Sequence, residues 1–425
     1  MKANPWLLPG AALLVTGGWI IHGKHSASTL EHEITVLTER IRQARAAGDE
    51  ASMAHGPAEL SRKEKDGKID WKDISGKMAG MRNGGMGEMR ANIRLQRLLL
   101  EMSTEDLCAQ LDEIAALDLD DNARKQLEGT VLDVLAEKDP KLVLERFEGE
   151  IGDENSGGRW HLNVALAKWA EKEPAAAAAW LDRQIADGKL DSKSLDGKSP
   201  YRMHFEGSLV SALLKTDPAA ASARVAALPE DQREDFFNQG FFMQVASGTE
   251  SAYARMVREN LPAAKVGDVL AKTAGNLAMH GGYERVDGFI AGANASNEEK
   301  QAIVAKVIQN KLGRNVGAEI NVEELEKART WGSSQSPGVV DQATGEALAA
   351  TLWRGTDFKT ASEMVLQYNA RSGNDEVLAA FLKSNQLRNR SADEARTLID
   401  QIKDPALREE IRALPEFNNQ PRPGS

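Results

Sequence analysis

One 19-residue pattern recurs along residues 95 to 401, and it constrains the fold more than any other feature. Ungapped windows begin at Leu95, Val131, Ala165, Leu209, Phe241, Ala274, Ala349 and Lys383. The fifth column reads Leu99, Leu135, Trp169, Leu213, Val245, Ala278, Trp353 and Leu387. The thirteenth reads Leu107, Val143, Ala177, Ala221, Tyr253, Val286, Ala361 and Ala395. The seventeenth reads Leu111, Phe147, Leu181, Val225, Val257, Ile290, Val365 and Ile399. All are apolar, and the last two columns lie one helical turn apart, so they share a face. The ninth column holds Ser103, Asp139, Glu173, Asp217, Thr249, Gly282, Asp357 and Ser391. All but Glu173 and Gly282 are preferred N-caps, whose side-chain oxygen accepts from an orphan backbone N–H. Pro140, Pro174 and Pro218 follow in the tenth column, where the missing N–H costs nothing. Each unit is thus the end of one helix, a tight turn and the start of another. Ser391-Ala392-Asp393-Glu394 adds the pattern of a capping box.

The tenth positions are separated by 36, 34, 44, 32, 33, 75 and 34 residues. The interval of 75 holds two periods, with a degenerate copy near residues 300–330. A helical pair every 33 to 36 residues is α-solenoid spacing. The expected fold is all-α: a right-handed α-α superhelix of about nine helical-hairpin repeats over 93–415, joined to an N-terminal membrane helix. A helix bundle without true repeats is the alternative.

The spacing and paired helices resemble tetratricopeptide and Sel1-type repeats. The tetratricopeptide motif W-x2-L-G-x2-Y is absent, which puts that family's peptide-binding mode in doubt here. Trp169-Ala170, followed by Glu173-Pro174-Ala175-Ala176, is more similar to exported bacterial proteins built from WA-x2-DP-AA-type repeats. That resemblance covers about three quarters of the chain. It implies the fold and a place in the cell envelope, and it supplies no catalytic residue.

The N-terminal segment points the same way. No charged side chain interrupts Pro5 to Ile21, a run near the minimum of about 17 residues for a spanning helix. Residues 1–24 therefore read as a transmembrane anchor or a signal peptide, the uncleaved anchor being favoured over secretion after cleavage. Lys2 precedes the run and Glu31 and Glu33 follow it, so the positive-inside tendency places the rest of the chain outside the cytoplasm. A bacterial inner-membrane protein with one span and a periplasmic C-terminal domain is expected. Over 25–46, Leu30, Ile34, Leu37, Ile41 and Ala44 are spaced as the seam of a short coiled coil. It either assembles a homo-oligomer through Leu30–Ala44 or lays one amphipathic helix on another surface. Residues 47–92 read as a flexible tether and a Met/Gly-rich entry helix, and 416–425 as a disordered tail.

Composition narrows the partners. The 425-residue chain carries a net charge of −11. Before residue 93 there are 13 Lys and Arg against 11 Asp and Glu, which leaves +2 there and −13 beyond. An acidic array favours basic or neutral partners and repels nucleic acid and anionic lipid. Cys108, the one cysteine, excludes an internal disulfide and reads as a buried, inert thiol.

The sequence carries few residues in catalytic patterns. The seven histidines form no H-E-x-x-H. Gly197-Lys198-Ser199 lacks the earlier glycine of a phosphate loop, since Ser192 stands there. Met78, Met81, Met86 and Met89 read as packing rather than a soft-metal site. Trp169, Trp180 and Trp353 share columns with aliphatic and long side chains, which favours helix packing over sugar stacking. No catalytic residue, cofactor or metal is expected. Two Gly/Ser-rich stretches break the period, Ile185–Ser208 and Trp331–Glu346, and read as loops on one face. Candidate partner-binding residues are Trp160, His161, Tyr201, His204, His280, Tyr283 and Trp331. The expected function is a membrane-anchored extracytoplasmic scaffold that binds a protein or peptide without catalysis. The alternatives are an envelope glycan- or peptide-acting enzyme with an α/α-toroid cleft and a structural oligomer held by the N-terminal seam.

Overall fold

Capping residues set where the helices begin in the computed structural model, which describes residues 69–80, 95–151, 159–192, 197, 199–238, 245–312, 320–384, 387 and 391–417. All regular structure among these residues is helical, with no strand. In chain order the first helices are α1 (Trp71–Gly80), α2 (95–101), α3 (Thr104–Ala115), α4 (Asp121–Lys138), α5 (Pro140–Arg146) and α6 (Arg159–Lys172). There follow α7 (Pro174–Ala186), α8 (Pro200–Thr216), α9 (Pro218–Ala226), α10 (Glu230–Asn238), α11 (Glu250–Asn260) and α12 (Ala263–Gly292). The last are α13 (Asn297–Leu312), α14 (Val322–Gln335), α15 (Val340–Thr351), α16 (Phe358–Ser372), α17 (Glu376–Lys383), α18 (Ala392–Ile399) and α19 (Pro405–Arg412). Asp139 accepts from the Leu142 N–H, Asp217 from Ala220 and Asp357 from Thr360, each three residues on. Pro140, Pro174, Pro200, Pro218 and Pro405 occupy first turns.

The repeating columns form the core. Every residue of the thirteenth column is buried, as is every residue of the seventeenth except half-buried Phe147. Trp169 and Trp180 are buried among helices, so they pack rather than face solvent. Trp353 does not follow its column: it is 51% exposed. Here α15 stops at Thr351, a short 3-10 turn carries Leu352–Arg354, and Gly355 takes a left-handed φ of 100°. That early stop rotates the register, and Leu352 is buried instead.

Contacts divide the chain into two units, with the boundary between Arg224 and Val225. In the first, α4, α6 and α8 lie side by side. Helix α5 packs on α4 and α6, and α7 on α6 and α8, while α1 and α3 lie against α4. Trp71 of α1 is buried, and its indole N–H donates to Gln110 Oε1 at 2.9 Å. In the second unit α12, α13, α15, α17 and α19 make one row, each touching the next. Helix α14 covers α13 and α15, α16 covers α15 and α17, and α18 packs on α19. Asp375 ties the row together near its end. Its buried carboxylate accepts from the Lys403 and Asp404 N–H groups at 2.7 and 2.8 Å.

Several local expectations are corrected. Ser391 makes no side-chain cap; reciprocal capping boxes are at Ser103 with Asp106 and at Ser296 with Glu299. Trp331–Glu346 is not a loop but the end of α14, a 3-10 turn and the first half of α15. Two of its glycines, Gly332 and Gly345, serve helix approach: a Cβ on Gly332 would press on Ile308, Val304 and Val340. Of Ile185–Ser208, the part from Pro200 on is α8. Cys108 is half-buried rather than buried. The tail is ordered as far as Phe417, which is buried, and Arg396 Nη2 donates to the Glu416 carbonyl. The expected anchor 1–24, coiled coil 25–46, residues 418–425 and most of 47–92 lie outside the described residues. No helix among the described residues is long and apolar enough to cross a membrane.

The core of the second unit includes an aromatic cluster with a pH consequence. Tyr253 sits edge-on to Phe237 and tilted against Phe289, and its hydroxyl pairs with Thr273 at 2.7 Å. Burial pushes the phenol up to about 12, against the smaller lowering by Thr273. The fold therefore favours the protonated form, and this contribution is complete below the unfolded value near 10. It is lost as pH rises from about 10 to about 12. Tyr253→Phe is expected to flatten the fall in unfolding free energy, read from urea titrations across that window, by roughly 2–3 kcal/mol. Equal slopes for the two proteins would contradict it.

Candidate functional site

A groove of about 570 Å³ lies on the exposed side of the α13–α15–α17–α19 row. Four helices must contribute because each presents only one polar stripe after burying its apolar face. Gln309 comes from α13, Gln342 and Glu346 from α15, Glu376 and Lys383 from α17, and Leu407 from α19. Gln342 and Glu346 are one turn apart and so share a face. The Gln309 amide donates to Glu346 Oε2 at 2.8 Å, and the Gln342 amide donates to Oε1 at 2.9 Å. Both carboxylate oxygens are thus held, and α13 is bridged to α15. Lys383 pairs with Glu410 at 2.8 Å, bridging α17 to α19. The Glu376 carboxylate has no hydrogen-bond or ion-pair partner among the described residues, and it is exposed.

The groove is low because its floor is made of small residues. Gly338, Ala350, Ala379 and Ala380 line it. Beneath them α15 and α17 meet at Gly345. A Cβ there would run into the Val377 carbonyl oxygen, with Ala380 Cβ and the Phe381 nitrogen at 2.9 Å. Such a surface lets a polypeptide backbone approach closely and offers amides and carboxylates to hold it.

The residues expected to bind a partner are placed as follows. In the first unit Trp160 is 40% exposed at the start of α6. His161 turns inward, with Nδ1 at 2.9 Å from Asp133 Oδ1. Its ring lies over Gly129, where a Cβ would meet Nε2 at 2.7 Å. Tyr201 and His204, both half-buried on α8, lie edge to face at 6.3 Å. In the second unit His280 is exposed just before the break of α12 at Gly282, whose φ is 68°. Tyr283 and Trp331 come together, stacked at 5.3 Å with Lys311 Nζ 4.7 Å from the Tyr283 ring. Their polar atoms point to neighbours: Tyr283 donates to Glu324 and Trp331 to Asp287. Burial, then the Glu324 charge, push the Tyr283 phenol far above its ordinary range. This cluster braces the α12 break against α13 and α14. A smaller pocket of about 240 Å³ beside it is lined by Asp287, Asn294, Lys300 and Gln335.

None of the seven lines the 570 Å³ groove. The groove residues carry no local motif, being Gln, Glu, one Lys, one Leu and small residues spread over about 100 positions. One sequence signal does coincide with them: Gly338, Gln342 and Glu346 fall in the second break of the period. Among the described residues no group of three or more His, Cys, Asp or Glu gathers as a metal site. No family model, curated protein or solved structure matches the chain.

Proposed function

We propose that this chain is a helical-repeat scaffold that binds a protein or peptide partner in the groove of its C-terminal unit. In this reading the paired helices are units of a right-handed superhelix. The apolar run at Pro5–Ile21 tethers it to a bacterial inner membrane, with the helical part in the periplasm. The observation that carries the reading is the groove itself. It is concave, crosses four helices, has a floor of small residues, and places polar side chains at its rim. Extended polypeptide binding uses this combination, since backbone needs close approach and hydrogen-bonding partners.

Site-directed photo-cross-linking tests it. A photoreactive residue at Gln342 of the full-length chain, in intact cells, is expected to trap a discrete adduct. The same residue at Lys327, exposed on α14, serves as control. Equal labelling from the two positions would remove the groove as the binding surface.

A further inference from the structure

The charge on the groove specifies its occupant further. Its lining carries two carboxylates, Glu346 and Glu376, and one ammonium, Lys383, which Glu410 already holds. The Glu346 oxygens accept from two amides, which fixes their position without supplying a cation. Glu376 is exposed and has no partner among the described residues. The lining thus presents two uncompensated carboxylates on adjacent helices, in an array whose residues beyond 92 sum to −13. An anionic ligand meets like charge there, and an apolar one desolvates two carboxylates without pairing either with a cation.

Dimensions argue for an extended chain rather than a compact small molecule. Neighbouring helix axes pack about 8–10 Å apart, so crossing α13, α15, α17 and α19 takes roughly 25–30 Å. A peptide in the extended polyproline II conformation covers that in about eight to ten residues. Glu346 and Glu376 belong to adjacent helices, so two cations three residues apart, which share a face of that conformation at about 9 Å, match the helix spacing. The small floor residues Gly338, Ala350, Ala379 and Ala380 admit the peptide's backbone, and the Gln309 and Gln342 side chains stand beside its path.

We infer that the occupant is an extended cationic peptide segment whose paired Lys or Arg side chains meet Glu346 and Glu376. This rests on the scaffold reading above and names the partner chemistry. The test is fluorescence anisotropy with the full-length protein in detergent and three labelled nonapeptides, GSKASKASG, GSEASEASG and GSQASQASG. The lysine peptide is expected to bind, more weakly as salt screens the pairs, and the glutamate peptide not to bind. Glu346→Gln and Glu376→Gln are each expected to weaken the lysine peptide about two- to fivefold. Gln342→Trp, on an exposed position, is expected to obstruct the groove and abolish binding. Unchanged urea midpoints show that these surface variants still fold. Equal binding of all three peptides, sensitive to Gln342→Trp, overturns the charge selectivity and leaves the scaffold reading standing. No binding of the lysine peptide, or binding indifferent to both glutamine variants, also overturns the inference. The cross-link from Gln342 then decides the scaffold reading separately.

Discussion

Gly345→Ala is expected to destabilise the C-terminal unit by about 2 kcal/mol, although alanine is the better helix former. Two effects oppose each other. Exchange of glycine for alanine inside a helix gains up to about 1 kcal/mol through propensity and chain entropy. At Gly345 the added methyl meets backbone: the Val377 carbonyl oxygen and the Phe381 nitrogen, with Ala380 Cβ also at 2.9 Å. Backbone cannot swing aside as a long side chain does, so α15 and α17 must separate. Overpacking of this kind costs about 1–3 kcal/mol, and more where nothing yields. Gly267, in α12, is the control, because a Cβ there meets nothing within 4 Å. Gly267→Ala is expected to stabilise by about 0.5–1 kcal/mol. Native-state hydrogen exchange of the α15 and α17 amides reads the unit directly. A Gly345→Ala protein as protected as the wild type would show that the two helices are not in close contact.

The same glycine explains where the sequence is legible and where it is not. Periodic burial was legible, because each helix must bury one stripe and the stripe recurs with the hairpin. Leu107, Val143, Ala177, Ala221, Tyr253, Val286, Ala361 and Ala395 are all in the core for this reason. The cap residues were legible where an Asp precedes a Pro or an apolar turn, as at Asp139, Asp217 and Asp357. Gly332, Gly338 and Gly345, with their serines, read instead as chain breakers. Local sequence does not distinguish a glycine that ends a helix, such as Gly355, from one that lets two helices touch. The difference lies in residues more than thirty positions away, such as Val377.

The groove was illegible for a related reason. Its residues come from α13, α15, α17 and α19, and even the fullest stretch, Glu376 to Ser384, needs the three other helices to make a groove. Aromatic side chains were the natural candidates, since they dominate binding surfaces. Tyr283 and Trp331 do meet, but Glu324 and Asp287 take their polar atoms and turn them into a brace. His161 is likewise committed to Asp133 over Gly129. Each of these polar aromatics finds its acid about one period away in the chain, 28, 41 and 44 residues for His161, Tyr283 and Trp331.

The second large effect is expected at Arg224, and it depends on which member of an ion pair is removed. Glu206 lies inside α8 with a side chain only 5% exposed. Arg224 answers it with two bonds, Nε to Oε2 at 2.8 Å and Nη2 to Oε1 at 3.1 Å. The guanidinium also reaches Asp182 at 2.9 Å. Burial alone works against the Arg224 charge, but the bonds and charges of Glu206, then Asp182, outweigh it and raise its pKa. Arg224→Ala strands a buried carboxylate and is expected to cost about 3–5 kcal/mol. Glu206→Ala is expected to cost less, about 1–3 kcal/mol, because Arg224 is 16% exposed and keeps Asp182, itself 59% exposed. Replacing both with apolar residues of similar length, Glu206→Leu with Arg224→Met, removes the buried charge and its partner together. That double variant is expected within about 1 kcal/mol of the wild type, as for other buried pairs exchanged whole. Protection of the α8 amides measures all three. If the double variant loses as much as Arg224→Ala, the pair contributes net stability rather than neutralising a charge that the fold has buried. If Glu206→Ala costs more than Arg224→Ala, the burden rests on the guanidinium, and Asp182 alone does not hold it.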